Sequence, residues 1–183
     1  MPPMPPAPGL SVVASSIHGY GLVARRPFAV GEPVIEGDGV TYDGDQEFDD
    51  TYALVLPAHD GAGQDDVDAP LIYYDLVDQT RWINHSCAPN TAVESAWDAP
   101  TGTVRAWWVA VRPITVGEEL SYDYAFVGAL AEPCNCGAVG CRGLIVDSDP
   151  EELAEIPGHL RPLLRLAPRQ ARSEHPAAIA DQA

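Results

Sequence analysis

The chain has 183 residues, of which 46% are hydrophobic, and a formal net charge of -17. That length allows one domain with a real core and is short for two, and that composition excludes a chain disordered throughout. So negative a charge excludes nucleic-acid binding by general electrostatic attraction, which needs Lys and Arg to displace counterions, while it admits a basic partner such as a lysine-rich peptide.

Residues 1–9 are Pro-rich and predict a loose tail. The opening MPPMPPAPGL lacks the charged lead and apolar centre of a signal peptide, and no later run approaches the ~18–20 apolar residues that span a bilayer. The expectation is a soluble intracellular protein, cytoplasmic or, in a eukaryote, nuclear. From Leu10 onward come short runs rich in Val, Ile, Tyr and Trp: LSVVAS, GLVARR, PVIEG, YALVL, LIYY, VRAWWVAVR and ELSYDY. Gly, Pro or Asp punctuates them, so the fold class is mostly β. AWWVAV is almost continuously apolar and predicts a strand buried on both faces. GDGVTYDGDQEFDD and AHDGAGQDDVDAP are acidic and Gly-rich and predict surface loops, either a solvated face or a rim that attracts a cationic substrate. Residues 151–166 predict one or two helical turns broken at Pro157 and Pro162, and an Ala-, Arg- and Pro-rich tail follows from Ala167.

Four cysteines in a reducing compartment serve metal or chemistry before disulfides. Cys134, Cys136 and Cys141 form a C-x-C-x4-C cluster, with Gly137 and Gly140 supplying the turn that brings the third back to the first two. Three thiolates leave a tetrahedral Zn²⁺ one ligand short, and the one remaining cysteine is Cys87. A site of Cys87, Cys134, Cys136 and Cys141 would use every cysteine and tie a central loop to a C-terminal segment with little core of its own. Two other readings stay open: a Cys134–Cys141 disulfide or unrelated core thiols, and a Cys87 nucleophile primed by His85 in INHSCAPN.

INHSCAPN, GEELSYDY and CNCGAVGCRG, in that order, resemble a SET-domain protein lysine methyltransferase with its post-SET zinc segment. HGYGLVARRPFAVGEPVIE resembles the family's opening G-x-G block. The resemblance implies a fold of small, curved β-sheets with a C-terminal pseudoknot, in which the NHSC segment passes through a loop near the DY segment, against the usual rule that chains do not thread. It also implies SET residues 10–127, a post-SET zinc segment at 128–146, and short helical turns with a disordered tail at 147–183.

The implied reaction moves a methyl group from S-adenosylmethionine (SAM) to the ε-amine of a lysine in a basic protein, histone-like or otherwise lysine-rich. The implied cofactor contacts are Gly19, Tyr20, Gly21, Tyr52, Asn84, His85, Tyr124 and Leu144, the last folding over the adenine. Tyr124 matches the catalytic tyrosine. Tyr122 falls where the family carries Phe or Tyr, and a hydroxyl there implies mainly mono-methylation. One structural Zn²⁺ would be held by the four cysteines. The rival is a catalytically silent SET module that binds a peptide or partner protein. The implied partners include neither nucleic acid nor membrane. All ten basic residues are arginine, so an enzyme of this kind could not methylate its own side chains.

Overall fold

Apolar runs become strands where β-branched and aromatic side chains can pack on a pleated, half-buried surface. The computed structural model describes residues 7–42, 46–57, 71–98 and 100–165. Strands β1 (Leu10–Ala14) and β2 (Tyr20–Ala24) form an antiparallel hairpin. Next come β3 (Pro33–Gly37), β4 (Gly39–Tyr42), β5 (Ala53–Pro57) and β6 (Leu71–Leu76). A 3-10 turn over Gln79–Trp82 is capped by Asp78, whose carboxylate accepts from the Thr80 N–H at 3.0 Å. It delivers the chain into β7 (Asn84–His85), followed by β8 (Thr91–Asp98), β9 (Thr103–Ala110) and β10 (Ser121–Tyr122). Strands β3–β9–β8 and β4–β6–β5 make two three-stranded antiparallel sheets, and β7 pairs with β10 in parallel. Beyond them lie β11 (Glu132–Pro133) and β12 (Leu144–Ile145), paired antiparallel, and helix α1 (Pro150–Glu155). Among the described residues α1 is the single α-helix, so the fold is mostly β, as the sequence predicts.

Two hydrophobic clusters result. The larger joins the sheets around Trp108, Phe28, Leu22, Leu76, Ile83, Ile114 and Leu120, all fully buried. The smaller holds Ala131, Leu144, Val146 and Ile156, with Leu153, Leu160 and Leu164 packed on it. The C-terminal segment therefore has only a small core of its own, four buried residues with three partly buried ones packed on them.

Several sequence expectations change. Residues 7–9 form a turn that packs Ala7 on the main core, whereas residues 1–6 of the expected tail lie outside the described residues. GDGVTYDGDQEFDD is not all loop, because Gly39–Tyr42 pairs with β6 as β4. ELSYDY supplies only the two-residue β10, since its remaining backbone bonds go to β2 and to side chains. β8 lies outside the apolar runs that predict strands. It carries Ala, Glu and Ser between its apolar residues, and full pairing with β9 overrides that weak propensity. β9 is central in its sheet but not dry on both faces: Trp107 is half-buried and donates from Nε1 to Glu94 at 3.0 Å. Pro162 sits inside the 3-10 turn Arg161–Leu163 rather than breaking it, because its missing N–H is free at a helix start. AHDGAGQDDVDAP and the tail from residue 167 lie outside the described residues.

Candidate active site

The segment INHSCAPN is clasped by the segment leading into and through β10. The Ser86 N–H donates to the Tyr122 carbonyl at 3.0 Å. Asn90, 1% exposed, donates from Nδ2 to the Glu119 carbonyl at 2.8 Å and accepts the Ser121 N–H at 2.8 Å. Ile83 beneath them is core. These bonds fix both segments from the inside, so the residues between them have little freedom.

Asn84 reaches the other way. Its Nδ2 lies 3.2 Å from the His18 carbonyl, 2.8 Å from the Tyr20 carbonyl and 2.9 Å from Glu119 Oε1. The amide thus holds the H-G-Y-G turn that opens β2. Gly19 takes φ +50, where an L side chain is strained, and the space its Cβ would enter is open. A Cβ on Gly21 would collide with the Glu119 carboxylate. Glu119 also accepts from Ser15 Oγ at 2.8 and 3.0 Å, so one carboxylate ties the hairpin, the turn and Asn84 together. Tyr20 is 58% exposed, tilted against Trp82 with centroids 5.9 Å apart. The turn therefore presents backbone and one aromatic ring to an open space.

Tyr122 and Tyr124 stand side by side, with ring centroids 4.7 Å apart. Tyr122 meets Trp108 edge-on at 5.7 Å, and burial, then the neighbouring Tyr124, hold its phenol far above the ordinary value. Tyr124 donates its hydroxyl hydrogen to the Ile83 carbonyl at 3.0 Å. Burial, with Tyr52 nearby, pushes the Tyr124 phenol up to about 12, so at neutral pH it is a hydroxyl and not a base. Its one hydrogen is committed, which leaves its oxygen free to accept. Tyr52 is 38% exposed, with the Arg81 guanidinium 4.1 Å from its ring centroid. Just past Tyr124, Ala125 has φ +47, a rare conformation for a non-glycine.

His85 and Leu144, both expected among the cofactor contacts, are buried. The His85 ring is 3% exposed; its Nδ1 accepts the Tyr124 N–H at 3.2 Å, and its Nε2 lies 3.3 Å from Cys87 Sγ. An accepting Nδ1 puts the ring hydrogen on Nε2, aimed at sulfur. Burial brings His85 down to about 4 against the pull of the Asp123 carboxylate, so the imidazole is neutral. Its side chain thus serves the cysteines and the tyrosine backbone. Leu144 is 0% exposed inside the smaller cluster.

The four cysteines are free thiols, which removes the disulfide reading. Cys87 Sγ lies 3.7 Å from Cys134 Sγ and 4.0 Å from Cys141 Sγ. A tetrahedron with metal–sulfur bonds of ~2.3 Å has sulfur–sulfur edges of about 3.8 Å, so these spacings fit zinc. Gly137 and Gly140 take φ +69 and +83 in the intervening turn. The Arg142 N–H points at Cys87 Sγ at 3.4 Å, and the Gly143 N–H at Cys141 Sγ at 3.3 Å, donors that suit thiolates. His85, Cys87, Cys134 and Cys136 also group within 4.8 Å, so the histidine borders the cluster. The nucleophile reading fails on geometry and charge: His85 Nε2 carries the hydrogen rather than accepting one, and burial pushes the Cys87 thiol up to about 11.

Two side chains that sequence reasoning missed join this cluster to the body. Arg142 and Asp123 form a two-bond ion pair at 2.7 and 2.6 Å, and Asp123 lies 3.5 Å from His85 Nδ1. The signal available was thin: an arginine directly after Cys141 and an acid between the two tyrosines.

Turn, clasp, tyrosine pair and thiol cluster, on these small sheets, define a domain of the SET class. Residues 19–125 match the family described as SET domain, and the chain belongs to that family. It is 36% identical over 147 residues to human "Histone-lysine N-methyltransferase 2B", covering 73% of this chain and 5% of that protein. It is 37% identical over 141 residues to "Histone-lysine N-methyltransferase ASHH3" of Arabidopsis thaliana, covering 73% of this chain and 37% of the relative. The chain thus spans a minor part of the relatives it matches. Among solved structures, KRYPTONITE in complex with mCHH DNA, an H3(1-15) peptide and SAH has a TM-score of 0.57 at 25% identity, covering 74% of this chain and 29% of that one. No described helix is long and apolar enough to cross a membrane.

Proposed function

We propose that this chain is a SAM-dependent protein lysine methyltransferase acting on a basic, lysine-rich protein and adding mainly one methyl group. The observation that carries the reading is the Tyr124 hydroxyl, whose hydrogen is spent on Ile83 while its oxygen stays free beside Tyr122. That arrangement suits a reaction in which an amine must be oriented and no strong base is needed. The names of the relatives, and SAH in the solved SET structures, agree with it.

SAM supplies an electrophilic methyl on a sulfonium sulfur. A free lysine has a pKa near ~10.4, so it has to enter as the neutral amine, which the desolvated wall of Tyr122 and Tyr124 favours. The amine lone pair forms the nitrogen–carbon bond as the carbon–sulfur bond breaks, its electron pair leaving with sulfur, and the surplus amine proton goes to water. Alignment does most of the work. The Tyr124 oxygen accepts from the amine and holds its lone pair in line. Gly19, Tyr20 and Gly21 offer backbone and a ring to the methionine and ribose part, with Asn84 keeping that turn in shape and Tyr52 closing the side. The Tyr122 hydroxyl narrows the channel and leaves room for a first methyl more readily than for a second.

Cys87, Cys134, Cys136 and Cys141 are assigned as ligands of one structural Zn²⁺, with His85 orienting Cys87 from outside the ligand set. Zinc would offset two of the four negative charges on the clustered thiolates and pin residues 128–146, the post-SET segment, to the SET body of residues 10–127; residues 147–165 extend the same cap. Leu144 then supports that segment from beneath instead of covering the adenine. The charge of -17 supports a basic protein partner without nucleic acid.

The test is radiolabelled SAM with a panel of basic proteins, wild type beside Tyr124→Phe. Label should pass to lysine with the wild type, and kcat should fall by about a hundredfold or more in the variant while SAM still binds. Because the chain has no lysine, label on the enzyme's own side chains would speak against lysine transfer. SAM binding with no transfer to any protein would favour a silent binding module. Mass spectrometry reads the degree of methylation: Tyr122→Phe should shift the main product to higher states, and an already trimethylated wild-type product would refute the mono-methyl reading.

A further inference from the structure

The face of the β4–β6–β5 sheet that points away from the core is apolar and acidic at once. Side chains alternate along β6, so Tyr74 and Leu76 enter the core while Leu71, Tyr73 and Asp75 point outward. On that outer face Val40, Val55 and Leu71 are 45%, 53% and 62% exposed. Phe48, from the loop after β4, stacks on Tyr42 with centroids 4.2 Å apart and an interplanar angle of 3°, and meets Tyr73 edge-on at 5.3 Å. Phe48 and Tyr73 line one depression with Glu47 and Asp50, both exposed acids. The sheet separates this depression from Tyr122, which packs on the core side.

Charge identifies the occupant. Fourteen of the chain's 27 acidic residues lie between Arg26 and Arg81, and no lysine or arginine lies among them. Folding brings Arg81 over Tyr52 and into the field of Asp49, yet an apolar ring face bordered by Glu47 and Asp50 still fits a guanidinium or ammonium that stacks on the ring and pairs at its rim. Arginine suits both contacts best, since its planar group stacks and forks.

We infer that the Tyr42–Phe48–Tyr73 face, with Glu47 and Asp50, is a docking surface for an arginine-rich segment of the protein partner, separate from the lysine channel. The inference rests on the proposed function for its purpose, as it would recruit the substrate's basic region while another part delivers the lysine.

The test is equilibrium binding of a fluorescein-labelled oligoarginine peptide to the full chain, read by anisotropy at low ionic strength. The Glu47→Gln/Asp50→Asn variant should weaken binding about tenfold, and Phe48→Ala should weaken it several-fold with its charge unchanged. A control, Glu132→Gln/Glu155→Gln, removes equal charge from exposed sites elsewhere and should change affinity less than about twofold. Equal losses in both double variants, or undiminished affinity without Glu47 and Asp50, overturn the docking surface. Should Phe48→Ala unfold, the acid pair decides alone, because both side chains are exposed and cost the fold little. No methyl is transferred in this assay, so the two proposals fail separately. Binding through Glu47 and Asp50 in a chain that methylates nothing sinks the enzymatic reading alone. Methylation of basic proteins with affinity indifferent to these residues sinks the docking surface alone.

Discussion

The main body and the C-terminal cap are held by different physics. The body closes around a large apolar core with Trp108, Leu22, Ala106 and Leu120 at 0% exposure. The cap has a cluster of four buried residues, a two-residue strand pair and one short helix, and it meets the body through four thiols and the Asp123–Arg142 ion pair. A small apolar cluster cannot offset the entropy of ordering a segment of this length. The body should therefore fold on area and the cap on ligation. The cap reaches Tyr124 indirectly, since His85, which accepts the Tyr124 N–H, groups with Cys134 and Cys136 of the cap within 4.8 Å.

Metal removal should separate the two most sharply. Structural zinc carries an apparent ~10–16 kcal/mol in small zinc modules, more than the cap's own cluster can replace. A strong chelator should strip hydrogen-exchange protection from residues 131–164 while leaving β2, β3 and β9 protected. SAM affinity should fall with it. Uniform loss of protection across both regions would show that they are one cooperative unit, and unchanged protection would remove zinc from the account. A core truncation should do the reverse. Trp108→Ala empties the centre of the body and should cost about 3–5 kcal/mol, read as a lower denaturant midpoint. Zinc content, measured by mass spectrometry on the protein that remains folded, should stay at one ion per chain.

The body was far more legible in the sequence than the cap's attachments. Runs such as YGLVA and TVRAWWVA announce strands because their own composition decides their state. β4 and β8 were hidden because pairing with β6 and β9 makes them strands, and partners many residues away leave no local trace. β7 and β10 are two residues each, too short for any period. The cysteine cluster was legible by counting, since four thiols with one spacing pattern leave few arrangements. The direction of the His85 ring was not. INHSCAPN fixes the distance along the chain from histidine to cysteine, but the choice of Nδ1 partner is made by the Tyr124 backbone, 39 positions on. Glu119 leaves no local trace for the same reason, as Ser15 is 104 positions away.

The ion pair between cap and body should have an intermediate effect. Asp123 is one-third exposed and Arg142 is 16% exposed, so Asp123→Asn leaves a mostly buried guanidinium without its charged partner. The loss should fall between that of a surface pair and that of a buried one, about 1–3 kcal/mol. It should be felt first in the cap. Faster exchange at residues 141–146, with the body's midpoint shifted less, is the expected pattern. Arg142 also presents its N–H to Cys87, so zinc release should quicken modestly.

The smallest effect belongs to a pair with nearly the same geometry in a different setting. Arg105 grips Glu36 through two hydrogen bonds of 2.6 and 2.7 Å, matching the distances between Arg142 and Asp123. Its side chains are 53% and 48% exposed, on the outer face of the β3–β9–β8 sheet. Water solvates both ions there whether or not they meet, and holding two long side chains together offsets most of what the contact returns. Arg105→Gln should therefore leave the thermal midpoint within the error of calorimetry, in low salt and in high salt alike. Burial is the main difference between the two pairs, so the two variants measured together isolate what burial adds. A loss at Arg105 as large as that at Asp123 would mean that geometry, and not shielding from water, is what fastens the cap to the body.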